Sequence, residues 1–218
     1  MTMSLSRIQE NLQQLYELDL GHNVHDFLIT SRELAHALDT SGTPQQIREK
    51  LLVLEDEDGL NLSLYLDQEI VSLFDALQHP REMDEENLEE LCLALEGISH
   101  FVYLAWKATH DRPVTLLEME LQAEVDKFIL LSDWFSDSAR QPAPGQLRRL
   151  LFKAVSYHEG LGHEEKKRYH DANRYAHAYC RRLESEFFNS RDREPLLNEL
   201  RRFYRLNKRA KLDRIKRI

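Results

Sequence analysis

Residues 51–66 read LLVLEDEDGLNLSLYL, and leucine returns at every second position in Leu60, Leu62, Leu64 and Leu66. Successive side chains of a strand point to opposite faces, so a period of two gathers these four on one side. Asp58-Gly59 supplies a turn, and Leu51 to Glu55 supplies the partner strand. An isolated hairpin is marginal in water. Its leucine face must therefore lie on other elements of the chain, and almost all of these are helical in period. Residues 24–30 are apolar enough for a third strand but lack clean alternation.

The helical segments are read from apolar spacing and start signals. Leu5, Ile8, Leu12 and Leu15 recur at three and four over residues 4–17. Ser31 caps a short helix holding Leu34, Ala35 and Leu38, and Thr43-Pro44 is the start signal of another. Asp67 caps residues 68–77, His79-Pro80 breaks the pattern, and a long helix runs from about Asp84 to Thr109. After a second break at Asp111-Arg112-Pro113, Thr115 and Glu118 form a capping box for a helix that reaches about Phe135 and is apolar on several sides. Three more helices are expected at about 144–158, 164–188 and 194–214. The expected fold is mainly α, a multi-helix bundle with a small β-hairpin at about 51–66 in its N-terminal half. Only 7 Gly and 6 Pro in 218 residues leave room for long helices and little for unstructured linkers.

Charge divides the chain. Residues 1–138 hold 8 Lys and Arg against 28 Asp and Glu, whereas residues 139–218 hold 21 against 10. The switch falls in SDSARQPAPGQ, residues 136–146, the one loop of linker composition. The reading is an acidic N-terminal half, 1–138, and a basic helical half, 139–218, packed together as one domain. No stretch approaches the ~20 apolar residues that span a bilayer, and the first residues lack the charged start and apolar run of a secretory signal. Cys92 and Cys180 both lie on helical apolar faces, far from any disulfide or zinc spacing. These features point to a cytoplasmic protein with no membrane role.

The last 22 residues, LNELRRFYRLNKRAKLDRIKRI, carry nine Lys and Arg opposed by Glu199 and Asp213. Arg201, Arg205 and Arg209 recur at every fourth position, with Arg202, Lys208 and Lys211 beside them. Like charges at that spacing repel, so an acidic surface is expected nearby. The chain's own carboxylates rank first, an acidic protein partner or a second copy next, and nucleic acid third, since a net charge of −9 opposes a polyanion.

Catalytic signatures are thin. The sparse glycines exclude a P-loop and a dinucleotide fingerprint, and no serine sits in a nucleophile elbow. Glu96 and His100 share a helix face, continued by Tyr103 and Lys107. Glu124 lies on the next helix's apolar stripe, and His158, His163, His170 and His177 follow in the basic half. Helical bundles build di-iron and di-manganese centres from such inward Glu and His, but with a repeated Glu-x-x-His motif that is missing here. The leading reading is a non-enzymatic interaction or regulatory protein acting through its charge-divided helical surface, with no cofactor favoured. The alternatives are a helical-bundle metalloenzyme using these Glu and His groups, and nucleic-acid binding through the basic C-terminal helix.

Overall fold

The computed structural model describes residues 4–39, 47–57, 59–76, 87–136, 145–153 and 162–217. Of the described residues, 71% are helical, and a small three-stranded mixed sheet lies in the N-terminal half. The expected start at Thr43-Pro44, the break at His79-Pro80, the turn residue Asp58, most of the 136–146 loop and His158 lie outside the described residues.

The chain forms two compact units. Residues 1–13 and 19–112 make one, and residues 14–18 and 113–218 make the other. The division after Arg112 falls at the expected helix break, so the charge switch near residue 138 lies within the second unit.

Helix α1 (Leu5–Tyr16) belongs to the N-terminal unit up to Gln13 and to the other unit in its last turn; in the N-terminal unit the chain continues with a single 3-10 turn (Val24–Phe27) and strand β1 (Leu28–Ile29). Ser31 caps helix α2 (Arg32–Leu38) by accepting the Leu34 N–H. Strands β2 (Glu49–Asp56) and β3 (Gly59–Leu66) form the expected antiparallel hairpin, and β1 adds a short parallel pairing to β3, giving the order β1-β3-β2. Helices α3 (Gln68–Ala76) and α4 (Leu88–Ala108) complete the unit.

The hairpin's leucine face packs on α4, which touches both β2 and β3. Burial grows towards the base of the hairpin: Leu64 and Leu66 are fully buried, while Leu60 at the turn end is exposed. The opposite face is covered as well. Tyr65 and Leu52 form a cluster with Ala35 of α2, and Ile29 and Ile47 pack against it.

The C-terminal unit is built on helix α5 (Leu116–Ser136), packed along helix α7 (His163–Phe187) with helix α6 (Gln146–Lys153) against both. The expected single helix over 194–214 is two, α8 (Glu194–Arg205) and α9 (Lys208–Lys216). The break falls at Leu206-Asn207, where the apolar stripe thins. Asn207 starts α9 by accepting the Ala210 N–H with its side chain. Leu196, Leu200, Phe203 and Tyr204 of α8 are all buried, and Phe203 stacks on Tyr179 of α7 at 3.9 Å between ring centres.

Candidate functional site

One group of metal-ligating side chains converges among the described residues: Glu49, Glu96 and His100, with one ligand atom of each within 4.8 Å of the others. Glu96 and His100 stand one turn apart on α4. Glu49 comes from the first position of β2. In the hairpin register Glu49 lies opposite Leu66, which puts it on the same face as Leu64 and the other leucines, towards α4. His100 Nδ1 lies 3.7 Å from Glu49 Oε1, and their side chains are only 8% and 10% exposed.

Gly97, between the two helical ligands, makes the approach fit. A Cβ there would lie 2.9 Å from Leu64 Cδ1 and 3.0 Å from Glu49 Cγ and Oε1. The bare backbone of α4 is thus the floor on which the Glu49 carboxylate rests. Beyond His100 the same helix face carries the buried Tyr103 and Lys107, with the ammonium 5.0 Å above the Tyr103 ring.

The other predicted ligands have separate surroundings. Glu124, in the C-terminal unit, pairs with Lys127 at 2.7 Å. His177 Nε2 accepts a 2.7 Å hydrogen bond from Arg148 Nη1. A guanidinium can only donate, so that nitrogen is unprotonated. Burial, followed by the charges of Arg148, Lys153 and Arg181, holds the His177 imidazole below its ordinary pKa. His163 is exposed at the start of α7, 3.9 Å from Glu164, and His170 is exposed further along. Glu49 was not predicted. Its signal was parity: counted back in twos from Leu51, it falls on the face that must meet a helix.

The basic C-terminal helices sort into inward and outward cations. Helix α1 has no basic residue in its last turn, so its final carbonyls need donors from elsewhere. Arg201 supplies one to the Leu15 carbonyl at 3.1 Å and pairs with Glu17 at 3.0 Å, while Arg205 reaches the Tyr16 carbonyl at 2.9 Å. Two guanidiniums of α8 thereby cap the negative end of α1. The start of α9 is served in return: Glu118 of α5 accepts the Lys208 backbone N–H at 3.1 Å. Arg214 donates to Glu199, with Nε to Oε1 at 2.9 Å.

Lys211 is fully buried and ends a chain of hydrogen bonds. Its ammonium donates to Gln122 Oε1 at 2.5 Å, Gln122 Nε2 donates to Asp126 at 2.8 Å, and the Tyr16 hydroxyl donates to the same carboxylate. Burial and then the Asp126 charge push the Tyr16 phenol well above its usual pKa, so it remains a donor. The outward set is Arg202, Lys208, Arg209, Lys216 and Arg217, all exposed. None of these side chains makes an ion pair among the described residues.

Burial pushes the Cys180 thiol up, which keeps it in the unreactive form. No helix among the described residues is long and apolar enough to cross a membrane. Comparison of the chain with protein-family models, with curated proteins and with solved structures gave no match.

Proposed function

We propose that the protein is a non-enzymatic interaction protein whose helices α8 and α9 dock on an acidic surface of a protein partner. The observation that supports this is the division of its C-terminal cations. Arg201, Arg205, Lys211 and Arg214 are used inside the unit, where they fix the two helices to α1, α5 and each other. Arg202, Lys208, Arg209, Lys216 and Arg217 remain exposed without ion pairs among the described residues. Five like charges, four on two short helices and Arg217 just past the second, repel one another, and an opposed acidic surface relieves that repulsion while setting orientation and association rate.

A protein carboxylate surface suits this chain better than nucleic acid. The net charge of −9 repels a polyanion as a whole, whereas a protein partner needs only a local acidic patch.

The test compares a short glutamate-rich peptide, which stands for a local acidic patch, with generic duplex DNA and RNA as probes for the purified chain, at about 50 mM and again at about 150 mM salt. The expected result is salt-sensitive binding to the acidic peptide that is lost in a triple Arg202→Glu, Arg209→Glu, Lys216→Glu variant with an unchanged helical spectrum. Tighter binding to DNA or RNA at the lower salt would move the reading to nucleic acid. Binding to neither probe would end it.

A further inference from the structure

We infer that Glu49, Glu96 and His100 bind a divalent first-row transition metal in the N-terminal unit, a site separate from the docking surface of α8 and α9. Three observations carry this. The first is convergence: two carboxylates and an imidazole, drawn from a strand and a helix 47 positions apart between Glu49 and Glu96, bring ligand atoms within 4.8 Å of one another. Donors bound at about 2.1 Å to a tetrahedral ion lie about 3.4 Å apart. Small side-chain rotations close the gap, and His100 Nδ1 and Glu49 Oε1 are already at 3.7 Å.

The second observation is construction. Gly97 leaves the space in which Glu49 lies against α4; any side chain there would press on the Glu49 and Leu64 side chains and make them shift. The third is burial. A carboxylate 10% exposed and an imidazole 8% exposed, 3.7 Å apart, lie where the leucine face of the hairpin meets α4, and an ion bound there would be held in low-dielectric surroundings. A divalent cation compensates two carboxylates and accepts a neutral imidazole.

The donor set defines the class of ion. Imidazole suits Zn, Fe, Ni and Cu more than Mg or Ca, and carboxylate oxygen suits Mn as well as Zn. With no thiolate in the group, soft Cu(I) is disfavoured. Three protein ligands leave at least one coordination position for water or a further ligand. Because Glu49 starts β2 while Glu96 and His100 belong to α4, the ion also ties the base of the hairpin to the helix.

The test is calorimetric titration of chelator-treated protein with Zn2+ and Mn2+, with Mg2+ as the control. One equivalent of Zn2+ per chain is expected, with a rise in the unfolding midpoint and with Mg2+ far weaker. Glu49→Gln and His100→Gln should each weaken Zn2+ binding by at least about 100-fold, while Glu124→Gln and His177→Gln leave it unchanged.

Glu96→Gln, at a ligand that is only partly buried, guards against variants that fail to fold. Its Co2+ complex should differ from the wild type in visible absorption. The absence of Zn2+ and Mn2+ binding would overturn the inference, leaving the triad an ionic contact. Binding undiminished in Glu49→Gln, Glu96→Gln and His100→Gln would also overturn it, because the ion would then sit elsewhere.

Discussion

Each unit buries a polar cluster, and the two clusters are built in opposite ways. In the C-terminal unit Tyr16, Gln122, Asp126 and Lys211 form a relay in which hydroxyl, amide, carboxylate and ammonium meet in donor-acceptor pairs. In the N-terminal unit Glu49, Glu96 and His100 aim ligand atoms at a common point, and the contact from His100 Nδ1 to Glu49 Oε1 is 3.7 Å, longer than a hydrogen bond. A relay locks packing; a convergent set suits a cation. The difference shows two ways in which buried polar groups meet: as hydrogen-bonding partners and as converging ligand atoms.

The relay predicts the largest effect. Asp126→Ala takes the acceptor from Tyr16 and Gln122 and removes the negative charge from a network that holds a buried ammonium. Breaking a buried charged network at one partner costs about 3–5 kcal/mol. Urea denaturation should show a loss of that order. A loss below about 1 kcal/mol would mean that the relay contributes little to locking the C-terminal unit.

The second prediction sharpens the contrast between inward and outward cations. Arg205→Ala removes a charged donor from the end of α1 and should destabilise by about 1.5–3 kcal/mol. Arg209→Ala, exposed and without an ion pair among the described residues, should stay within about 0.5 kcal/mol. Equal losses in the two denaturation curves would erase the division on which the docking proposal stands.

For the convergent cluster, Gly97→Ala forces a Cβ to within 3.0 Å of Glu49 and Leu64. Overpacking of this kind costs about 1–3 kcal/mol, and the same displacement should weaken Zn2+ binding. Full stability together with full metal affinity would show that the glycine is not the floor of the site.

How much of this was legible in the sequence follows from the range of each signal. Period two in Leu60 to Leu66 and the cap at Ser31 are local patterns, and both elements formed where they were read. Glu96 and His100 were legible as a pair because four residues make one helical turn. Glu49 was not, since its position depends on strand register and on which helix covers the hairpin. The partners of the arginines were hidden for a related reason. An acidic surface was expected, and Glu17 does pair with Arg201, but Arg201 and Arg205 also bind the backbone carbonyls of Leu15 and Tyr16. Every residue carries a carbonyl, so only tertiary structure shows which ones need a donor. The break between α8 and α9 was carried by Asn207 alone, a weak signal within a run of good helix formers.

The smallest effect tests whether His177 acts as a ligand or only as a packed acceptor. His177 accepts from Arg148 and packs on Phe152 at 5.6 Å between ring centres. Burial and the neighbouring cations hold its pKa below the ordinary 6.5. As pH falls through that ordinary value, the unfolded chain takes up a proton that the folded chain refuses. The unfolded state then binds more protons, so stability rises with pH in this window. The His177 contribution is complete above about pH 6.5 and is lost as pH falls through the folded value. His177→Gln keeps an oxygen that can accept from Arg148 and removes the titration. Wild type and variant should therefore match near neutral pH and diverge on acidification, the wild type losing the more stability. Denaturation curves that stay parallel across that range would show that the imidazole is not held neutral by its cationic neighbours, and would reopen it as a ligand.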